Sequence, residues 1–558
     1  MAEERTDAVL TGSDQITLEC STEYVSYPLT EQTCWAVTSF KAPFHEPTSR
    51  ASVDIVAVID KSGSMGGEKI KLVRKTLLFV IDQLKDCDRM SLVTYDSGVT
   101  LNFSLMKMDT PNKDRAKAFV ESIKEGSCTN LCGGLLKGME QVALTSGDDE
   151  KAKVQSVLLL TDGLANEGIT GMANILNVIK KFQEEGQGAV ETYSPVSNPP
   201  RRQQQQRVQN VRQTRPGFFG RLFGNQSSSA QPTPPPLQQP GPPPQQQQAP
   251  QMQQQAPLSM PKLDVNDEEE AMEVDESEPK PKPSGPKFEG TIYTFGFGSD
   301  HDATLLEAVS TQGGGVYYYI DSNEKIPESF ADCLGGLLSV VGQNLSLKLE
   351  LQGGNSVAEV HANRAINWTT PDKTCDIAMG DLQSEEERDI VMELKLPTMP
   401  SPQQDLVIKA TLSYFNVITS ALDTVTFDLN IDRKDGAQGP AKESVDVQRN
   451  RIIATSALKK AEPLADQGKL EEARTILKDA IKRLEESASA QQDFCKALIS
   501  DLKQSLESMR SRDEYHGHGK LYMHSKAQAH SVQRSNFVDD TSYYQTSSKM
   551  AMRSKAKW

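Results

Sequence analysis

Two apolar, β-branched runs, residues 53–59 and 154–160, constrain this chain most, because each suits a strand buried on both faces and each leads into an aspartate. The first reads VDIVAVID and continues KSGSM; the second reads VLLLT and continues DGLAN. Strands buried on both faces belong to parallel sheets flanked by helices, and such sheets hold ligands above the carboxyl ends of their strands. Asp60 and Asp162 therefore fall where a ligand is expected.

The residues around them supply more oxygen. Ser62 and Ser64 alternate across a tight turn at Gly63, so two hydroxyls and one carboxylate can converge above the first strand. Thr129, in SCTNLCGG, precedes a helix expected to start near Gly134. Two aspartates and three hydroxyls suit a hard cation, and Mg²⁺ in particular takes few carboxylates and near-octahedral oxygen geometry. Mn²⁺ or Ca²⁺ would also accept these donors. Neutral hydroxyls leave such an ion under-neutralised, with room for one outside ligand. An Asp or Glu from a partner protein is the natural candidate.

DKSGSM, the threonine of CTNLCGGL and LLLTDG, in that order, resemble the metal-ion-dependent adhesion site of von Willebrand factor A domains. The resemblance implies metal ligation by Asp60, Ser62, Ser64 and Thr129, directly or through water, with Asp162 binding directly or holding a ligating water. It also implies a protein-binding role.

The 558 residues carry a formal charge of −16, which argues against general nucleic-acid binding, since that depends on neutralising phosphates. MAEERTDAVL lacks an apolar signal core, and no stretch approaches the roughly 20 apolar residues needed to span a bilayer. A cytoplasmic protein without a membrane span is expected. Eight scattered cysteines fit reduced thiols, and the lone C-x₃-C of Cys128 and Cys132 is a poor zinc site. SGSMGGEK lacks the spacing of a phosphate-binding loop, so no nucleotide site is expected. His516, His518, His524 and His530 crowd the C-terminal region and read as surface or packing residues before a metal cluster. Asp300 and Asp302 are expected to cap the following helix. No catalytic motif is apparent, so the chain reads as a non-enzyme.

The organisation follows from patterning. Residues 1–47 read as N-terminal strands of a β-sandwich and 48–342 as the α/β unit, in which strand and helix alternate. Helices are expected at 113–124 and 134–144, and a Gln/Pro-rich, then acidic, insertion occupies 186–287. That insertion cannot bury enough apolar surface to fold; its PGFFGRLFGN island is a possible docking motif or a chance cluster. Residues 343–434 alternate as antiparallel strands, 440–511 form a helical hairpin or bundle, and 512–558 form a C-terminal tail. The expected fold class is α/β: a doubly wound, Rossmann-like domain inserted in an antiparallel β-sandwich and followed by an α-helical domain.

TIYTFGFGSDHDATLLEAVS, FADCLGGLLSVVGQNLSLKLE and SRDEYHGHGKLYMHSKAQAHSVQRSN extend the resemblance to intracellular von Willebrand A proteins, which include plant RING-type ubiquitin ligases and relatives with U-box or Hint modules. No RING, U-box or Hint segment is visible here. The resemblance implies a Mg²⁺-dependent binding module of a scaffold or adaptor. The alternatives are a substrate-binding subunit or homologue of a ubiquitin ligase, and a structural scaffold with a vestigial metal site.

Overall fold

The computed structural model describes residues 14–46, 50–145, 154–186, 285–298, 301–436, 438–536 and 542–556. Most of the insertion, its apolar island and Asp300 lie outside the described residues. Strands β1 (Thr17–Thr22), β2 (Ser26–Tyr27) and β3 (Gln32–Lys41) come first. The α/β unit comprises β4 (Val53–Asp60), α1 (Glu68–Gln83), β5 (Arg89–Tyr95), β6 (Val99–Lys107), α2 (Thr110–Ser122), α3 (Leu131–Ala143), β7 (Val154–Thr161), α4 (Met172–Glu185), β8 (Thr291–Phe297), α5 (Ala303–Gln312), β9 (Gly314–Ile320) and α6 (Ile326–Leu337). There follow β10 (Val340–Leu351), β11 (Ser356–His361), β12 (Ile366–Thr370), β13 (Thr374–Gln383), β14 (Glu387–Leu396), β15 (Gln403–Asn416) and β16 (Ala421–Arg433), then α7 (Glu443–Asp466), α8 (Leu470–Glu485) and α9 (Asp493–Glu507).

The α/β sheet runs β6-β5-β4-β7-β8-β9, parallel except for β6. Every residue of β4, β5, β7 and β8 is buried, as strands covered on both faces are, and the Asp54 carboxylate is met inside by Arg89 and Gln155. One core, with residues of α1, α2 and α6, covers one face; a second, with residues of α3, α4 and α5, covers the other. The chain leaves β4 towards β5 on one side and later returns to β7 on the other. β4 is therefore the topological switch point, and the ends of β4 and β7 flank the crevice that this topology opens.

Edge strand β6 was not legible in the sequence, because its residues are mostly polar or half-exposed and only Phe103 is buried. α2 begins three residues before the expected position: Asp109 caps the backbone N–H of Asn112, and Pro111 sits in the first turn. α3 likewise starts at Leu131 and not near Gly134, because the Asn130 side chain caps Gly133.

α3 lies unusually close to the sheet. A Cβ on Gly138 would come within 2.5 Å of Val58 Cγ2, and one on Gly134 within 2.5 Å of the Tyr95 ring. Gly138→Val should overpack this contact and cost about 1–3 kcal/mol, read as a lower thermal midpoint. An unchanged midpoint would show that the close approach does not seat the helix.

The remaining strands form two sheets, β1-β3-β14-β11 and β12-β13-β10-β15-β16-β2, enclosing a shared core. N-terminal strand β3 pairs along its whole length with β14. α7, α8 and α9 pack through alanine and leucine stripes. Residues of 512–558, expected as a tail, instead complete these cores: Met523 and Ala527 of the helix Lys520–Val532 join the helical core, and Met552 of the helix Ser547–Lys555 joins that of the α/β unit. His524 lies between Glu307 and Glu462, 2.7 and 3.1 Å from their carboxylate oxygens, and His530 is 2.9 Å from Asp501. His516 and His518 are exposed, so the four histidines do not cluster. All eight cysteines are free thiols, and among the described residues no helix is long and apolar enough to cross a membrane.

Candidate functional site

Asp60 is the last residue of β4 and is fully buried. Its Oδ1 accepts from the backbone N–H of Ser62 at 2.8 Å, and its Oδ2 from the Thr161 hydroxyl at 2.6 Å. Burial pushes its carboxyl above the ordinary range, the Thr161 and Ser62 hydrogen bonds oppose this, and the nearby Asp162 charge adds to it. The first loop then turns through Gly63–Met65, leaving the Ser62 and Ser64 hydroxyls 3.2 Å apart.

Two further loops meet it. Ser64 donates to Asp162 Oδ1 at 2.7 Å, joining the loop after β4 to the loop after β7. The Gly63 N–H donates to the carbonyl of Ser127 at 3.0 Å, tying in the loop before α3. Thr129 is held by its backbone: its N–H donates to Asn166 Oδ1 at 2.8 Å, and its carbonyl accepts from the N–H groups of Asn166 and Glu167. A Cβ added at Gly163 would lie 3.7 Å from both Ser64 Oγ and Thr129 Oγ1. The glycine thus leaves a small space that both hydroxyls border.

All five residues singled out in the sequence therefore gather at one crevice. Asp60, Ser62, Thr129 and Asp162 are buried, and Ser64 is exposed at its mouth. The donor set is oxygen only, which fits a small hard cation.

Sequence reasoning missed three participants. Thr161 orients Asp60, and its place directly before Asp162 at a strand end was the available signal. Asn166, in the same run, clamps Thr129. Lys69, in the first turn of α1, places its ammonium 2.5 Å from Asp162 Oδ2. This ammonium neutralises part of the site's charge, and spacing alone does not show it.

Residues 54–191 match the model of the von Willebrand factor type A domain, and residues 287–319 match a second model of that domain. The α/β unit is thus a von Willebrand factor type A domain, a module commonly used for protein interaction. Residues 442–545 match a third model, described as CPSF6-like, RSLD domain, N-terminal region.

Among relatives, the chain is 34% identical over 148 residues to inter-alpha-trypsin inhibitor heavy chain H3 of Rattus norvegicus, covering 26% of this chain and 16% of that protein. It is 21% identical over 462 residues to E3 ubiquitin-protein ligase WAV3 of Arabidopsis thaliana, covering 82% of this chain and 46% of that protein. The matches thus span less than half the length of either relative. A solved von Willebrand factor type A protein from Catenulispora acidiphila superposes with a TM-score of 0.56 at 13% identity, over 87% of this chain and 88% of that one. The ArnB paralog VWA2 from Sulfolobus acidocaldarius gives 0.50 at 13% identity, over 92% and 99%. At such identities the likeness is one of fold.

Proposed function

We propose that this protein is a Mg²⁺-dependent binding platform that captures an acidic side chain of a partner protein at the crevice above β4 and β7. The hydrogen-bonded series Asp60–Ser62–Ser64–Asp162, with the Ser64 and Thr129 hydroxyls both bordering the space beside Gly163, supports this reading. Asp60, Ser62, Ser64 and Thr129 would hold the ion directly or through water, and Asp162 directly or by holding a ligating water. The bound ion would supply a Lewis-acidic point with an open position. Thr161 keeps Asp60 oriented, and Asn166 keeps the Thr129 loop seated. Lys69 offsets the charge of Asp162, leaving the site short of full neutralisation of a divalent cation by carboxylates alone. A partner's Asp or Glu would complete the shell and gain a charge-assisted contact.

In this reading the domains divide as the β-sandwich of 1–47 and 343–434, the binding domain of 48–342 and the helical region beyond, and the protein works in the cytoplasm. The long match to a plant ubiquitin ligase favours a second reading, in which the platform selects substrates for a ligase whose catalysis resides elsewhere. Both readings share the site and the same test. With the full chain as bait, a partner captured in Mg²⁺ should be released by chelator. Neutralising one partner carboxylate to its amide should weaken capture as much as chelation does, and the two losses should not add, since both remove one bond. Additive losses, or capture indifferent to chelator, would overturn the metal-dependent mechanism.

A further inference from the structure

A different group of ligand-type residues lies on the sandwich, where sheet pairing alone disfavours it. β11 and β14 are antiparallel neighbours whose register sets Glu359 directly opposite Glu393, with Glu393 in turn opposite Trp35 of β3. Cross-strand partners share a face, and like charges placed directly opposite destabilise the pair. His361, two residues beyond Glu359, shares that face. Its ring stacks on Trp35 with centroids 5.5 Å apart and planes at 13°, which holds it between the two acids.

His361 Nδ1 is 3.4 Å from Glu359 Oε1, and Nε2 is 3.6 Å from Glu393 Oε1. Both separations exceed the usual N–H···O range of about 2.7–3.2 Å, and Nε2 is buried with no hydrogen-bond partner among the described residues. One ligating atom from each of the three residues lies within 4.8 Å of the other two. The group borders a cavity of about 450 Å³ whose other wall, on α7 and α8, carries Ile453, Lys460, Asp479 and Arg483.

We infer that Glu359, His361 and Glu393 form a second cation site, one that takes a borderline transition metal of the zinc class. An ion at this point would relieve the cross-strand repulsion and give Nε2 the partner it lacks. The ligand types set the preference: imidazole with carboxylates suits Zn²⁺, whereas Mg²⁺ and Ca²⁺ prefer all-oxygen shells. Zinc–ligand bonds are about 2.0–2.2 Å; with the ion on Nε2 beside Glu393, the carboxylate of Glu359, which lies on the Nδ1 side of the ring, must swing across to join it, a movement open to its exposed side chain.

The test uses the full chain carrying Asp60→Asn, so that the magnesium crevice does not contribute. Zn²⁺ is titrated calorimetrically, and Co²⁺ is followed by its visible absorption. One zinc per chain is expected to bind this parent and to raise its thermal midpoint. His361→Phe keeps the stack on Trp35 and removes both nitrogens; Glu393→Gln removes one carboxylate. Each should weaken zinc binding by at least roughly tenfold and abolish the Co²⁺ absorption, with a zinc-free midpoint that is not lowered and that rises slightly in Glu393→Gln as the cross-strand repulsion is relieved. Failure of the parent to bind zinc, or unchanged affinity in both variants, would overturn the site and leave the reading of the magnesium crevice untouched.

Discussion

Asp60→Asn should reduce Mg²⁺ affinity by roughly a hundredfold or more, because it removes one of only two carboxylates from the proposed shell, whose other donors are hydroxyls. The fold should survive. Asn keeps a side-chain oxygen for the Ser62 N–H, and the Thr161 hydroxyl, which now donates to Asp60, can rotate to accept from the new amide. The buried carboxylate is held above its ordinary pKa chiefly by desolvation, so its loss relieves strain in the metal-free protein. An unchanged or slightly raised midpoint without Mg²⁺, together with loss of the Mg²⁺-dependent heat in calorimetry, is the expected pair of results. Undiminished Mg²⁺ binding would remove Asp60 from the ligand set. Asp60→Ala is the poorer variant, because it strands two donors in a fully buried position.

The largest stability effect is expected at Arg534. This residue follows the helix Lys520–Val532, and its guanidinium reaches back to the sandwich, donating to Glu386 Oε1 at 2.6 Å and Oε2 at 2.9 Å and to the carbonyl of Asp381 at 2.7 Å. Arg388 donates to the same Glu386 at 2.8 Å, and all three side chains are buried. Removing Arg534 takes two charge-assisted hydrogen bonds from buried Glu386 and leaves it Arg388 as its remaining arginine, so Arg534→Met should cost about 3 kcal/mol. Chemical denaturation measures it. A loss below about 1 kcal/mol would mean that water reaches the site or that the neighbours repack.

The same group sets an acid limit. Burial by itself raises the Glu386 carboxyl, but Arg388 and Arg534 outweigh it and hold the group down to about 2, against an ordinary 4.5. A carboxyl depressed by folding contributes stability that is complete above 4.5 and is lost as pH falls towards 2. The wild-type midpoint should fall across that window. In Arg534→Met the fall should be shallower, since the depression of Glu386 is smaller.

Patterns of neighbouring residues carried part of this structure. The runs 53–59 and 154–160 declared buried parallel strands because a strand covered on both faces is mostly apolar, and the aspartates that end them were placed by covalent connection alone. Asp60, Ser62 and Ser64 lie within five positions, so a short turn brings them together whatever the rest of the chain does. The helical character of residues 440–511 was legible for the same reason: the 3.6-residue period is local.

Only the tertiary structure could decide the rest, because those features depend on which distant surfaces meet. Lys69 reaches Asp162 across 93 positions, and Arg534 reaches Glu386 across 148. Neither pairing has a local signature. Lys549, a surface-type residue by sequence, is buried against Asp332 because the last helix lies on α6. Glu359 and Glu393 became a pair only through strand register, which a shift of one residue would undo. The sequence by itself determined the buried strands β4 and β7, their ends and the oxygen donors attached to them, since these follow from apolar patterning and chain connectivity. Tertiary packing decided how those donors are neutralised, oriented and buried, since charge partners and desolvation arise only where separate elements close on one another.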